Sequence, residues 1–154
     1  MMRFLLSFVM AMFVAGSLMA ACSVDKVALR GAFGRAEISV ELADTPDKRS
    51  QGLMFRQTMP RFAGMLFIYE HTQRATFWMK NTPLPLDMLF ADETGTITRI
   101  AKQTEPQSLD QIDGGRGVLA VLEVNGGLAD MLGVTVGDQM RHPAFGDKAA
   151  WGCD

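Results

Sequence analysis

A chain of 154 residues with 15 Lys and Arg against 17 Asp and Glu carries a formal net charge of −2, and its basic residues are scattered. That balance excludes a basic stripe for nucleic acid or for anionic lipid. The length and the 48% hydrophobic content fit one domain with a real core, and no break in composition marks a second.

Residues 1–21 read as an export signal. Arg3 is followed by "FLLSFVMAMFVAGSLMA", without another charge and ending in small residues. An uncleaved anchor is the competing reading of the same stretch. "LMAAC", Leu18 to Cys22, resembles a bacterial lipobox, which would make Cys22 the lipid-bearing first residue of the mature chain. The alternative is cleavage by ordinary signal peptidase at the small residues. Removing Arg3 with the signal takes the net charge to −3. Cys22 and Cys153 are the chain's two cysteines and lie at the two ends of the mature sequence. In an oxidising compartment they can pair, but a lipidated Cys22 leaves Cys153 as a free thiol, so both fates cannot hold in one molecule. Neither sits in a CxxC, which argues against redox catalysis.

The mature chain divides into an N-terminal segment 22–35, a domain 36–143 and a tail 144–154. "AEISVELA", Ala36 to Ala43, alternates apolar Ile38, Val40 and Leu42 with polar residues, as a strand with one wet face does. Thr45 as N-cap, Pro46 at the first helical position and Asp47 in the first turn predict a short helix from Pro46 to Gln51, ended by Gly52. "GMLFIYE" (Gly64 to Glu70) and "ATFWMKN" (Ala75 to Asn81) read as two strands. Leu86 to Lys102 reads as a hairpin turning at "DETG". "DGGRG", Asp113 to Gly117, reads as a turn; it lacks the lysine of a phosphate-binding loop. "GVLAVLEV", Gly117 to Val124, is the most apolar strand. Asn125 is placed to cap a second short helix closed by Gly133, and "QMRH" is a last strand after Gly137–Asp138. The expected fold is α+β and mostly β: a single compact domain with a strongly bent or barrel-like antiparallel sheet and two short helices.

Four segments in series, "RSQGLMFRQTM", "GMLFIY", "FWMKNTPLPLDMLFAD" and "VLEVNGGLADMLGVTVGD", give the chain a resemblance to the DUF192 (UPF0127) family, over roughly Ala36 to His142. The resemblance implies a small, mostly β domain, often behind a signal or anchor segment. It implies no activity and no catalytic residues, since the family is a domain of unknown function.

Candidate site residues therefore rest on their own chemistry. If "FWMKN" is a strand, Phe77, Met79 and Asn81 share one face and Trp78 and Lys80 the other. An indole beside an ammonium is a stacking platform for a polar or anionic ligand. The bland alternative covers Trp78 with a loop and pairs Lys80 with Asp87. Arg56 can fork onto a carboxylate, whether a ligand's, that of Asp87 or that of Glu123. Glu123 interrupts an apolar strand, where it is either on a wet face or buried and in need of a partner. Asp87 follows two prolines and can equally be a turn residue bonding nearby amides. Pro83 and Pro85 make the corner stiff whatever its use.

Other chemistries fit less well. Seven methionines remain outside the signal, without an MxxM cluster, and read as core filling rather than as copper ligands. His71 and His142 lack metal-ligand spacing, and a Ser108–His71 dyad has no supporting motif. No cofactor or metal is expected. The leading expectation is an exported, non-catalytic ligand-binding domain of the cell envelope, using Arg56, Trp78, Lys80, Asn81, Asp87 and Glu123 for a small polar or anionic ligand, sugar-like ligands included. Membrane contact would come through the N-terminal signal or lipid alone, with no nucleic acid. A structural or interaction module with Trp78 covered, and an acid–base hydrolase, are the alternatives.

Overall fold

The computed structural model describes residues 22–153, so the signal expected over 1–21 lies outside the described residues. Seven strands form one sheet: β1 (Lys26–Gly31), β2 (Gly34–Ala43), β3 (Ala63–Phe77), β4 (Leu86–Ala91), β5 (Ile97–Ala101), β6 (Ile112–Asn125) and β7 (Gln139–Arg141). Their order is β5-β4-β6-β3-β2-β1-β7. The two edge strands approach each other: Thr96 pairs with Gln139, and Ile97 exchanges backbone bonds with the Gly137–Asp138 turn, Ile97 N to Asp138 O and Gly137 N to Ile97 O, both 2.8 Å. The sheet is thus a nearly closed barrel, which removes most of its exposed edge.

The mostly β, barrel-like expectation holds, with one correction. β2 and β3 pair in parallel, Ser39 with Ala63 through Ala43 with Phe67, while every other pair is antiparallel. A parallel pair cannot be joined by a tight hairpin. The connection instead carries the first helix, α1 (Pro46–Gln51), which has the expected bounds, with Thr45 Oγ1 accepting the Lys48 N–H at 3.3 Å.

Three further local expectations change. The two strands read at 64–70 and 75–81 are one long strand, β3, kept continuous by register shifts against β6 between Ile68 and Thr76. It ends at Phe77, so Trp78 to Asn81 form a turn rather than strand. "DGGRG" is not a turn but the irregular first half of β6, where Gly115 and Gly117 take φ of 84° and 73°. The second helix, α2 (Leu128–Leu132), has Gly127 and not Asn125 at its N-cap. The Asn125 amide instead donates to the carbonyls of Met59 and Pro60, at 3.3 and 2.9 Å.

Segment 22–35 supplies β1, which pairs with both β2 and β7 through buried Val27 and Leu29. The tail continues as a 3-10 helix, Pro143–Lys148. Trp151 is buried, and Cys153 is joined to Cys22 by a disulfide with its Cα atoms 5.3 Å apart. Of the two fates left open for Cys22, the structure shows the pairing. A Cys22 sulfur held in that bond has no valence for a thioether-linked lipid.

Alternate residues of β3, β4 and β6 separate two cores. Leu66, Leu89 and Leu122 point into the barrel with Val27, Leu29, Ile38, Val40 and Met140. Met65, Phe67, Met88, Phe90 and Val121 form the second core on the outer face, beneath Leu53, Met79 and Leu86. These central strands are buried on both faces, which is why their sequences read as nearly unbroken apolar runs. The second core is where the candidate site lies.

Candidate functional site

Residue parity on β6 decides the site. Position 123 shares the outer face with Val121, and its register partners are Met65 on β3 and Met88 on β4. Glu123 is consequently placed between two methionines in the second core, and it is 4% exposed. Burial pushes its carboxyl up to about 8, so at neutral pH it is mostly the uncharged acid. Among the described residues no side-chain or backbone group hydrogen-bonds to it, yet its oxygens are not sealed off. Glu123 belongs to the wall of a cavity of about 40 Å³. That is room for a few waters or for the end group of a ligand.

The cavity walls come from three places. Phe67 and Phe77, in edge-to-face contact at 5.1 Å, form an aromatic side. α1 contributes Arg49, and the turn after β3 contributes Trp78, Lys80 and Thr82. α1 buries none of its own residues, so packing of an apolar face is not what it provides. Gly52, at its C-terminus with φ 49°, lets the helix end lie on Phe67: a Cβ there would sit 3.0 Å from the Phe67 ring. Arg49 donates through Nη1 to the Ile68 carbonyl at 2.8 Å and lies over the Tyr69 ring, 5.4 Å from its centroid. Tyr69 is also near enough for Glu123 to act on its titration, and burial raises its phenol.

The turn is held from several sides. The Met79 N–H donates to Ser108 O at 3.0 Å, Thr82 N to Met79 O at 3.0 Å, and Phe55 N to Asn81 O at 2.7 Å. Asn81 takes φ 55°, the left-handed conformation that asparagine tolerates. Met79 is turned into the core while Trp78 is 47% exposed, with the Lys80 ammonium 5.0 Å from its ring centroid. The in-and-out pattern expected of a strand survives, although the backbone is a turn.

Of the six residues that the sequence singled out, the structure brings three together: Trp78, Lys80 and Glu123. Arg56 forks onto Glu41, Nη1 to Oε1 at 2.5 Å and Nη2 to Oε2 at 2.9 Å, in a neighbouring groove. It reaches neither Asp87 nor Glu123. Asn81 serves the turn. Lys80 makes no ion pair with Asp87, which is fully buried on the barrel-facing side of β4. Asp87 does bond amides, but distant ones: Gln103 N to Oδ1 and Ala129 N to Oδ2, both at 2.8 Å. It therefore supplies the N-terminal partner that α2 lacks locally. Asp87→Asn, with one acceptor oxygen in place of two, is expected to cost about 2 kcal/mol of stability, read as a lower urea midpoint without loss of the Trp78 environment.

Sequence reasoning missed Arg49, Thr82 and Tyr69. Arg49 lies in the last turn of a short helix, where a cation is ordinary. The usable signal was that "PDKRSQ" has no apolar face to explain its presence. Among the described residues no group of three or more His, Cys, Asp or Glu is placed to hold a metal ion. No hydrogen bond joins Ser108 to His71, and Ser108 Oγ accepts the Asp110 N–H at 3.2 Å. No described helix is long and apolar enough to cross a membrane.

Two solved structures resemble this one closely. A protein from Sinorhizobium meliloti 1021, named a "putative transcription regulator", is 41% identical with a TM-score of 0.76, over 81% of this chain and 98% of that one. A protein of unknown function from Novosphingobium aromaticivorans DSM 12444 is 38% identical with a TM-score of 0.73, over 75% of this chain and 82% of that one. No curated protein matches the chain. The family model DUF192, "Uncharacterized ACR", matches residues 28–142, from β1 to the end of the barrel. With that match and these identities, the chain belongs to the DUF192 family.

Proposed function

We propose that this protein is an exported, non-catalytic domain of the cell envelope that binds the anionic end of a small polar ligand at the Trp78–Lys80–Glu123 cavity. The observation that carries the reading is Glu123: a buried carboxyl without a hydrogen-bond partner, facing a cavity. Burying such a group unpaired is costly unless something answers it. At neutral pH Glu123 is mostly a donor, and Lys80 and Arg49 on the rim are donors as well. A donor-rich pocket beside an exposed indole suits a ligand with an acceptor-rich end group and a flat or ring-shaped body. A carboxylate is the best fit, because a protonated Glu123 can share its proton with it.

The cavity supports binding better than catalysis. Glu123 is the one carboxyl among the lining residues, whereas glycoside chemistry needs two. An interaction module would want Trp78 covered, and its indole is half open. Export is supported by the charge-free N-terminal stretch and by a disulfide, which suits an oxidising compartment. The net charge of −2 supports no nucleic-acid partner.

Intrinsic fluorescence tests the reading without altering either tryptophan, since Trp78 is 47% exposed and Trp151 8%. Iodide will quench Trp78 selectively. Among small carboxylates, phosphates and sugars, carboxylates are expected to protect it, and Lys80→Ala is expected to weaken that protection about tenfold. Silence toward all three classes would leave the cavity without a ligand and overturn the proposal.

A further inference from the structure

A second cluster lies on the opposite part of the barrel and has nothing to do with Glu123. The pairing of β7, β1 and β2 lines up Gln139, Arg30 and Arg35 across three strands, with Arg141 two residues along β7 from Gln139. All point to the outer face, since Leu29 and Met140 between them are buried in the barrel. The tail lays Trp151 across this row. The guanidinium carbons of Arg30, Arg141 and Arg35 lie 4.6, 4.7 and 5.3 Å from its ring centroid.

Three like charges around one indole repel each other. Among the described residues, none of the three arginines has a carboxylate within ion-pair distance. Arg30 bonds the Gln139 amide oxygen through Nε and Nη2, at 2.8 and 2.5 Å, and Arg35 makes no side-chain hydrogen bond. The Arg141 Nε is buried with no partner at all. A buried donor left open in an otherwise well-satisfied structure points to a missing acceptor. Beside the cluster runs a groove of about 450 Å³, lined by Arg30, Arg35, Gly31, Gly34, Gln139 and Asp138. Asp138 marks its β7 side, and its carboxylate is occupied by the Thr135 N–H and hydroxyl. Arg35 marks the β2 side, so an anion is favoured on that side.

We propose that Arg30, Arg35, Arg141 and Trp151 form a second binding site, which takes a small multivalent oxyanion of the phosphate class. Guanidinium forks match the geometry of phosphoryl oxygens and are weakly hydrated, which suits them to a partly buried anion site. Three arginines in one patch of a net-negative chain are enough for a phosphoryl group and too few for a polymer backbone. The ligand is free phosphate or pyrophosphate.

The test is calorimetry and phosphorus NMR of the disulfide-intact protein with inorganic phosphate and with pyrophosphate at low ionic strength. Pyrophosphate is expected to bind, and Arg35→Gln to weaken it by about tenfold. Arg35 is exposed and unbonded, so that variant should fold normally. Lys26→Gln, which removes a cation already paired with Glu37, is expected to change binding little. Equal losses in both variants would mean diffuse charge attraction and would overturn the site. Asp154 follows Cys153 in sequence, so Asp154→Asn is included: binding by that variant alone would mean that the tail's own carboxylate satisfies the cluster, and the external ligand would be ruled out. Binding to phosphatidylglycerol vesicles but not to either free phosphate would replace the proposal with a lipid surface. Silence in every arm would end it.

Discussion

Glu123→Gln is expected to make the protein more stable at pH 9 and to leave it nearly unchanged at pH 5. The carboxyl has an unfolded value near 4.5 and a folded value of about 8, raised by burial. Between those values the folded state holds a proton that the unfolded state has released, so stability falls as pH rises from 4.5 to 8 and is flat beyond. The full shift corresponds to a ceiling of about 5 kcal/mol at 1.36 kcal/mol per pH unit. Glutamine has no proton to lose, keeps a donor in the cavity and should recover several kcal/mol above pH 8. In a domain of this size that is a rise in Tm of about 10 °C. His142 sets the other limb. It is buried, its Nε2 donates to Val24 O at 3.0 Å, and its Nδ1 accepts the Ala144 N–H at 3.1 Å. Burial lowers its pKa, so its contribution is lost as pH falls below 6.5. Between 4.5 and 6.5 the two slopes oppose each other, so the wild type should lose stability chiefly above pH 6.5; in the variant that alkaline loss should vanish and leave the acid limb of His142 alone. A variant with an unchanged alkaline limb would show that Glu123 is hydrated and charged.

Removing the disulfide is the second large effect. Cys22 and Cys153 are 131 positions apart, and closing a loop of that length restricts the unfolded chain by close to 5 kcal/mol in the chain-entropy picture, with about 2–5 kcal/mol seen in practice. Cys153→Ser should lower the unfolding free energy by that amount without changing the far-ultraviolet circular dichroism, because the bond ties down ends and not the barrel. Trp151 should become more accessible to iodide as its tail loosens. A loss below about 1 kcal/mol would mean that the cation–π contacts hold the tail unaided. The intact mass of protein isolated from its native host separates pairing from lipidation directly: a disulfide subtracts two hydrogens, and an acylated Cys22 adds whole fatty chains.

Much of the barrel was legible because its signals are local. Thr45–Pro46 with Gly52 placed α1, and the alternation of Ile38, Val40 and Leu42 placed β2. What failed was nonlocal. Nothing within residues 34–77 reveals that β2 and β3 run parallel, since that depends on the chain crossing over through α1. The glycines of "DGGRG" promise a turn, yet against the long β3 they are accommodated as irregularities of a strand. Val27 and Leu29 alternate as a strand should, and β1 was overlooked because the segment is short and starts beside the signal.

The site divides along the same line. Trp78 and Lys80 are neighbours in sequence and remain neighbours in space. Glu123 was suspicious as an acid in an apolar run, but the methionines at its sides belong to strands far away in sequence. Arg56 and Asp87 attracted notice for their charge, and tertiary partners, Glu41 for one and two remote amides for the other, account for each.

The proposed binding requires Glu123 to be an uncharged donor at neutral pH, facing a cavity that accepts a carboxylate. Carbon-13 NMR titration of the glutamate side-chain carboxyls, with and without saturating acetate or succinate, tests it most directly. One glutamate is expected to titrate near pH 8 in the free protein, to be absent in Glu123→Gln, and to move higher when the carboxylate is bound because the shared proton is then held more tightly. A Glu123 that titrates in the ordinary range, or one that is indifferent to every carboxylate added, would contradict it.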